Sequence, residues 1–250
     1  QRAPQALRHL IAIYQSERDW EKAIENAGRF EAATGEPMGK LIAQFECELA
    51  ARQRSAGDIE AARGSLARAY AADPTSVRAG IAEGRLEAEA GRHAAAIRAF
   101  ERAARHDPDY LPDILPMLQD SYAQVGERSG ARAFLAEMCE HYRGIAPVLA
   151  LARMVEAEEG VGAARRYLAQ QLKDRPSVRG EAALIDLTLA DDADAASTLH
   201  DLKHITDQLL VRNPSYRCNR CGFGARSHHW QCPSCKEWGT VKPLLNYAVV

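Results

Sequence analysis

Along the first 177 residues the apolar positions recur at intervals of three and four rather than alternating, which is the period of a helix face and not of a strand. Leu7, Leu10, Tyr14, Ala23, Ala27 and Phe30 follow this spacing around a polar break at Glu17-Arg18-Asp19-Trp20. The pattern then repeats. Gly57 to Pro74 (GDIEAARGSLARAYAADP) and Gly91 to Pro108 (GRHAAAIRAFERAARHDP) match in phase, with both glycines and both prolines 34 residues apart. Tyr122, Gly126, Ala131 and Leu135 carry the same phases with one residue inserted, and Gly160, Ala164, Leu168 and Pro176 form a degenerate fifth copy. A fixed period of this length is the mark of stacked helical hairpins.

Each recurring residue has a physical reason. A glycine in mid-repeat, or Arg18-Asp19 in its place, accepts the backbone that ends one helix and turns. Ala62, Ala96 and Ala131 are small and let the second helix approach the first, and Leu66, Phe100 and Leu135 lie one turn further on the same face. Asp73-Pro74 and Asp107-Pro108 stop the second helix, because a proline drives its predecessor out of the helical region. These residues resemble the tetratricopeptide repeat over about residues 1–177, in about five copies. A less regular helical pair is expected over 178–212, capped by Ser177 and by the run Asp191 to Asp194, and Arg212-Asn213-Pro214 marks the boundary to a last segment, 213–250. The resemblance implies a right-handed α-solenoid with a concave face, on which its groove positions place Arg8, Arg54, Arg78 and Arg85. Four guanidiniums there suit an acidic or carboxylate-bearing partner, although solvated helix charges look the same in sequence.

Composition adds exclusions. A formal charge of −2 gives no bulk attraction to nucleic acid or anionic lipid. No stretch reaches the roughly 18 consecutive apolar residues of a membrane span. Of the six cysteines, Cys47 and Cys139 stand alone in Ala/Leu-rich helical segments and read as small buried hydrophobes. The other four, Cys218, Cys221, Cys232 and Cys235, form C-x2-C-x10-C-x2-C. Two residues between cysteines let both sulfurs of a pair reach one ion from a tight turn, and two such turns complete a tetrahedral S4 site. Paired pairs of this kind fit a metal in a reducing compartment better than a disulfide framework. Four like ligands leave no open position for water activation, so the ion is structural or redox-active; zinc and iron both accept S4, with zinc the expected occupant of the isolated protein. Gly222 is expected to let the first turn double back and Pro233 to stiffen the second. Arg217, Arg220 and Lys236 would offset the −2 of four thiolates and a divalent ion. Tyr216, Phe223, Trp230 and Trp238 read as a small core around the ion, and Leu244, Leu245 and Tyr247 as a tail packing on the last helices.

The turns C-x-x-C-G-F and C-P-x-C resemble rubredoxin knuckles, though separated by fewer residues than in ordinary rubredoxins. Repeats followed by Y-R-C-x-x-C-G-F…W-x-C-P-S-C-x-x-W-x-T-x-K-P over 216–243 resemble the lipopolysaccharide assembly protein B family of Gram-negative bacteria. That resemblance implies an all-α fold with a small C-terminal rubredoxin-like, zinc-ribbon β knuckle, and a non-enzymatic adaptor on the cytoplasmic side of the inner membrane. Its implied partners are a membrane-bound AAA+ zinc metalloprotease, the deacetylase committing precursor to lipid A, and an inner-membrane regulator that senses lipopolysaccharide; homodimerisation is open. It also implies that an N-terminal membrane anchor and the first repeats precede Gln1.

Rival readings stand beside this one. His200-Asp201-Leu202-Lys203-His204 places two imidazoles one turn apart, like H-E-x-x-H with Asp for Glu, but without a third ligand. His228 and His229 lie between the cysteine pairs, where four sulfurs already satisfy an ion. A zinc ribbon that binds nucleic acid would need a stronger field than Arg217, Arg220, Arg226, Lys236 and Lys242 against Glu237, with the metal site's own charge opposing them, so no nucleic acid is expected. Rubredoxin-type electron transfer is the remaining alternative, and the short spacing counts against it.

Overall fold

The structure, a computed structural model, describes residues 2–191 and 197–244. The described residues form helical hairpins followed by a small sheet. Successive pairs are α1 (Arg2–Glu17) with α2 (Trp20–Thr34), α3 (Gly39–Ser55) with α4 (Ile59–Ala72), and α5 (Val77–Glu89) with α6 (His93–His106). After a 3₁₀ turn at Pro108–Tyr110 come α7 (Leu111–Val125) with α8 (Arg128–His141), α9 (Ala146–Glu159) with α10 (Val161–Asp174), and α11 (Val178–Asp191) with α12 (Ser197–Arg212). Contacts divide the chain into two compact units, Gln1–Asp107 and Pro108–Val250. Within each, the first helix of one hairpin touches the first helix of the next, α3 with α5 and α7 with α9, as stacked repeats require. The architecture is the all-α tetratricopeptide-type repeat with a β knuckle that the sequence predicts. No described helix is long and apolar enough to cross a membrane.

One hydrogen-bond motif closes four of the hairpins. The amide five residues on returns to a last-turn carbonyl in Asp19→Tyr14 (2.9 Å), Asp58→Gln53 (2.9 Å), Arg92→Glu87 (2.8 Å) and Glu127→Tyr122 (3.2 Å). The residue before each donor is left-handed: Arg18 (φ 58°), Gly57 (φ 81°), Gly91 (φ 72°) and Gly126 (φ 75°). This is the Schellman closure, which satisfies carbonyls a helix end would otherwise orphan. Asp19 and Asp58 then cap the following helix, accepting from the amides of Lys22 and Ala61. The fifth hairpin lacks this closure; Gly160 adopts φ 87°, ψ 171°, outside the helical αL basin. Its degenerate sequence therefore has a structural counterpart. Asp73 and Asp107 end α4 and α6 in extended conformation (φ −142° and −148°), as residues preceding proline should.

The first unit packs through small residues. A Cβ on Gly84 would lie 2.4 Å from the Phe100 ring, so glycine is what lets α5 sit against that fully buried ring. Ala62, Ala96, Leu66 and Phe100 are all buried, in the places the repeat predicts. Ser177 caps α11 through a bond from the Gly180 amide, while the expected caps Asp192 and Asp194 lie outside the described residues. Cys47 is buried and its thiol is pushed up to about 11 by desolvation; Cys139 is only half-buried.

Candidate metal centre and its docking

Three short strands frame the site: β1 (Tyr216–Cys218), β2 (Gly224–Ala225) and β3 (Val241–Pro243), antiparallel in the order β2-β1-β3. The two cysteine turns are built alike. In the first, the Cys218 amide bonds the Phe223 carbonyl (2.8 Å) and the Gly222 amide bonds the Cys218 carbonyl (2.9 Å). In the second, Cys232 bonds Glu237 (2.8 Å) and Lys236 bonds Cys232 (2.9 Å), residue for residue the same. The residue after the second cysteine of each pair is left-handed, Gly222 at φ 76° and Lys236 at φ 60°. Lys236 thus holds a backbone that glycine holds in the first turn. The sequence reading looked instead to Pro233, because lysine carries no such signal.

The four sulfurs converge. All lie within 4.8 Å of one another, with Cys218–Cys235 at 3.8 Å and Cys221–Cys232 at 3.7 Å. An ion bound at about 2.3 Å by four sulfurs in a tetrahedron separates them by about 3.8 Å, so this set fits such an ion. Among the described residues it is the one group placed to hold a metal. Cys218 and Cys232 are buried with Val241, against Tyr216 and Phe223, while Cys221 is exposed. Cys218 Sγ donates to Thr240 Oγ1 at 3.2 Å as a thiol; once ionised, the sulfur accepts from that hydroxyl instead, which holds Cys218 down to about 6. The Phe223 amide lowers Cys221 in the same way. Burial pushes Cys235 up to about 12. Arg220 is ion-paired with Glu237, tying one turn to the other, so its charge is answered by that carboxylate.

Among the described residues, the knuckle is docked within the second unit. Its contacts are to the 3₁₀ turn and the start of α7. Trp230 stacks on Tyr110 with ring centroids 5.2 Å apart and planes at 26°, and His228 packs edge-on against both rings. Lys242 Nζ sits 4.0 Å from the centre of the Tyr110 ring. Tyr216, from β1, donates its hydroxyl to Asp113 Oδ1, 103 residues away in sequence. Trp230 is therefore a docking residue, whereas Tyr216 both packs on the buried cysteines and reaches α7. Leu244 is half-buried and its amide bonds the Ser215 carbonyl (2.9 Å); Leu245 and Tyr247 lie outside the described residues. Tyr110 and Asp113 were not found from sequence, since nothing local marks them. Thr240 and Lys242 were written in the T-x-K-P end of the motif without a role.

The other named residues are dispersed. Arg8 pairs with Glu36 (2.5 Å) and lies over Phe30; Arg54 pairs with Glu89 (2.5 Å). Arg85 is exposed, whereas Arg78 is 7% exposed and bonds Gln44 and Glu48. His200 and His204 are exposed on α12, and His204 contacts Gln208.

Residues 216–243 match the family described as rubredoxin metal binding domain. Lipopolysaccharide assembly protein B of Escherichia coli K12 is 34% identical over 96% of this chain and 62% of its own length. The protein of that name from Haemophilus influenzae is 28% identical over 98% of the chain and 62% of its own. The chain thus spans about three fifths of the length of the curated relatives it matches. A solved structure of Pseudomonas aeruginosa pilF covers 85% of this chain, and 98% of its own, at 17% identity and a TM-score of 0.45. In sequence over nearly all of its residues, and in the four-cysteine module at 216–243, the chain is similar to lipopolysaccharide assembly protein B.

Proposed function

We propose that the chain is a non-catalytic adaptor in the control of lipopolysaccharide synthesis. In this reading it brings the deacetylase that commits precursor to lipid A to a membrane-bound AAA+ metalloprotease on the cytoplasmic side of the bacterial inner membrane, and answers to an inner-membrane regulator that senses lipopolysaccharide. The name of its relatives supports the link to lipopolysaccharide. The observation that carries the reading is the closed site: four converging sulfurs leave an ion no position for water or substrate, and the module holding them is docked on a helical repeat. Zinc is the proposed occupant in the isolated protein, with iron the alternative, and its role is to hold the knuckle in shape for docking. The pairing of Arg220 with Glu237 further weakens any field for nucleic acid. Arg8, Arg54 and Arg85 are proposed to meet acidic groups of a partner. Surface pairs like those of Arg8 and Arg54 are worth only about 0–1 kcal/mol and exchange readily. Arg78, buried against Gln44 and Glu48, would brace that face from beneath.

The test is capture from detergent-solubilised inner membranes with the chain as bait, beside its Cys218→Ser variant. The wild type should recover the protease or the deacetylase, and the variant should recover less while keeping the helical signal of its first unit. Recovery of neither by the wild type would sink the adaptor reading, and equal recovery by the variant would remove the knuckle from it.

A further inference from the structure

The second unit carries a depression of about 230 Å³ between α7, α8 and α9. Tyr122, Ala131, Met154 and Ala157 make it largely apolar. Two cations line it, Arg128 from the first turn of α8 and Arg153 from α9; both are exposed, and neither side chain has an ion-pair or hydrogen-bond partner among the described residues. The acid in the lining, Glu158, is neutralised by Arg132 at 2.8 Å. The depression therefore joins an apolar floor to two unanswered positive charges.

We propose that this depression is a docking site for a segment of a partner protein that presents one large apolar side chain flanked by carboxylates. It deepens the adaptor reading and rests on it. Three arguments fix the occupant. The volume falls below the roughly 300–1,000 Å³ of small-molecule sites and suits a single inserted side chain. Guanidiniums without partners favour carboxylates, which they bind bidentately. Gln119, which also lines the depression, offers an amide to an extended peptide backbone. An acyl chain needs a longer apolar channel, and nucleic acid needs a basic stripe with stacking faces.

The probe is a fluorescein-labelled peptide, Asp-Glu-Phe-Leu-Glu-Asp, with Lys-Lys-Phe-Leu-Lys-Lys and Asp-Glu-Ala-Ala-Glu-Asp as controls, titrated into the 250-residue protein by anisotropy. The protein has four methionines, so [¹³C]methyl-methionine labelling gives four signals, and Met154→Leu identifies the one in the depression. The acidic apolar peptide should shift the Met154 signal and leave that of Met38 in place. Arg128→Glu with Arg153→Glu should weaken it roughly tenfold or more and favour the lysine peptide instead. Both side chains are exposed, and a glutamate in the first turn of α8 suits the helix dipole, so the variant should fold. An unmoved Met154 signal at millimolar peptide, or equal affinity in the double variant, overturns the proposal. So does binding of phosphatidylglycerol vesicles in place of the peptide. If the double variant still captures the protease or deacetylase while the peptide fails, the docking site falls and the adaptor reading stands. If the peptide binds and no partner is captured, the reverse holds.

Discussion

Stacking of Trp230 on Tyr110 should act as a measurable fastener between the metal knuckle and the repeat. The perturbation is a cycle of Tyr110→Leu, Trp230→Leu and the double substitution, since leucine keeps much of the apolar contact and removes the π faces. A pair at 5.2 Å and 26° lies in the favourable window for offset stacking, worth about 0.5–1.5 kcal/mol beyond burial. Tyr110→Leu also removes the contact with Lys242 at 4.0 Å, worth about 0.5–2 kcal/mol for a partly desolvated cation. Trp230→Leu should thus cost about 1 kcal/mol, Tyr110→Leu about 1–3, and the two together less than their sum by about 1 kcal/mol. The assay is urea unfolding of the zinc-loaded protein in a Trp20→Phe background. With Trp20 gone, tryptophan emission comes only from Trp230 and Trp238, both in the second unit. Additive effects, with both single variants folded and metal-loaded, would refute the idea that stacking couples the two parts.

Other outcomes follow from single contacts. Thr240→Val removes the hydroxyl that holds Cys218 at about 6, so that thiol should titrate higher. A depressed thiol stabilises the folded state above the ordinary thiol range near 9 and loses that contribution as pH falls through about 6, so metal release on acidification should begin at higher pH in the variant, as followed with a chromophoric chelator. In the first unit, Gly84→Ala should cost about 1–3 kcal/mol by overpacking against Phe100. Gly91→Ala should cost about 1–2 kcal/mol through its left-handed backbone alone, as nothing lies within 4 Å of the added Cβ; thermal unfolding gives each cost, and the NMR ring signals of Phe100 separate the two, because only the first should shift them. In the knuckle, Lys236→Gly should gain up to about 1 kcal/mol of resistance to chelation and Gly222→Ala should lose about as much, each by its φ. Equal behaviour of the two would contradict the matched geometry of the turns.

The repeat and the metal ligands were legible because both are local. A hairpin closes within its own 34 residues, so the glycine that turns it, the alanine that admits its neighbour and the Asp-Pro that ends it must recur at fixed phase. A cysteine pair serves one ion only at a spacing that a tight turn imposes, and that spacing is written in the chain. Even here the left-handed Lys236 escaped, since nothing in a lysine announces a positive φ; only its match in position to Gly222 does.

Tertiary structure alone decided the rest. Trp230 looked like part of the core around an ion, yet its ring lies on Tyr110, and the Tyr216 hydroxyl reaches Asp113 across 103 residues. Arg78 reads like Arg8 or Arg85 in a helix, but the stacking of α3 beside α5 buries it against Gln44 and Glu48. Such contacts join elements far apart in the chain, and no periodicity links their residues. An aromatic or a guanidinium is equally at home in a core, at a junction or on a surface, and which it occupies is fixed only when the elements around it pack.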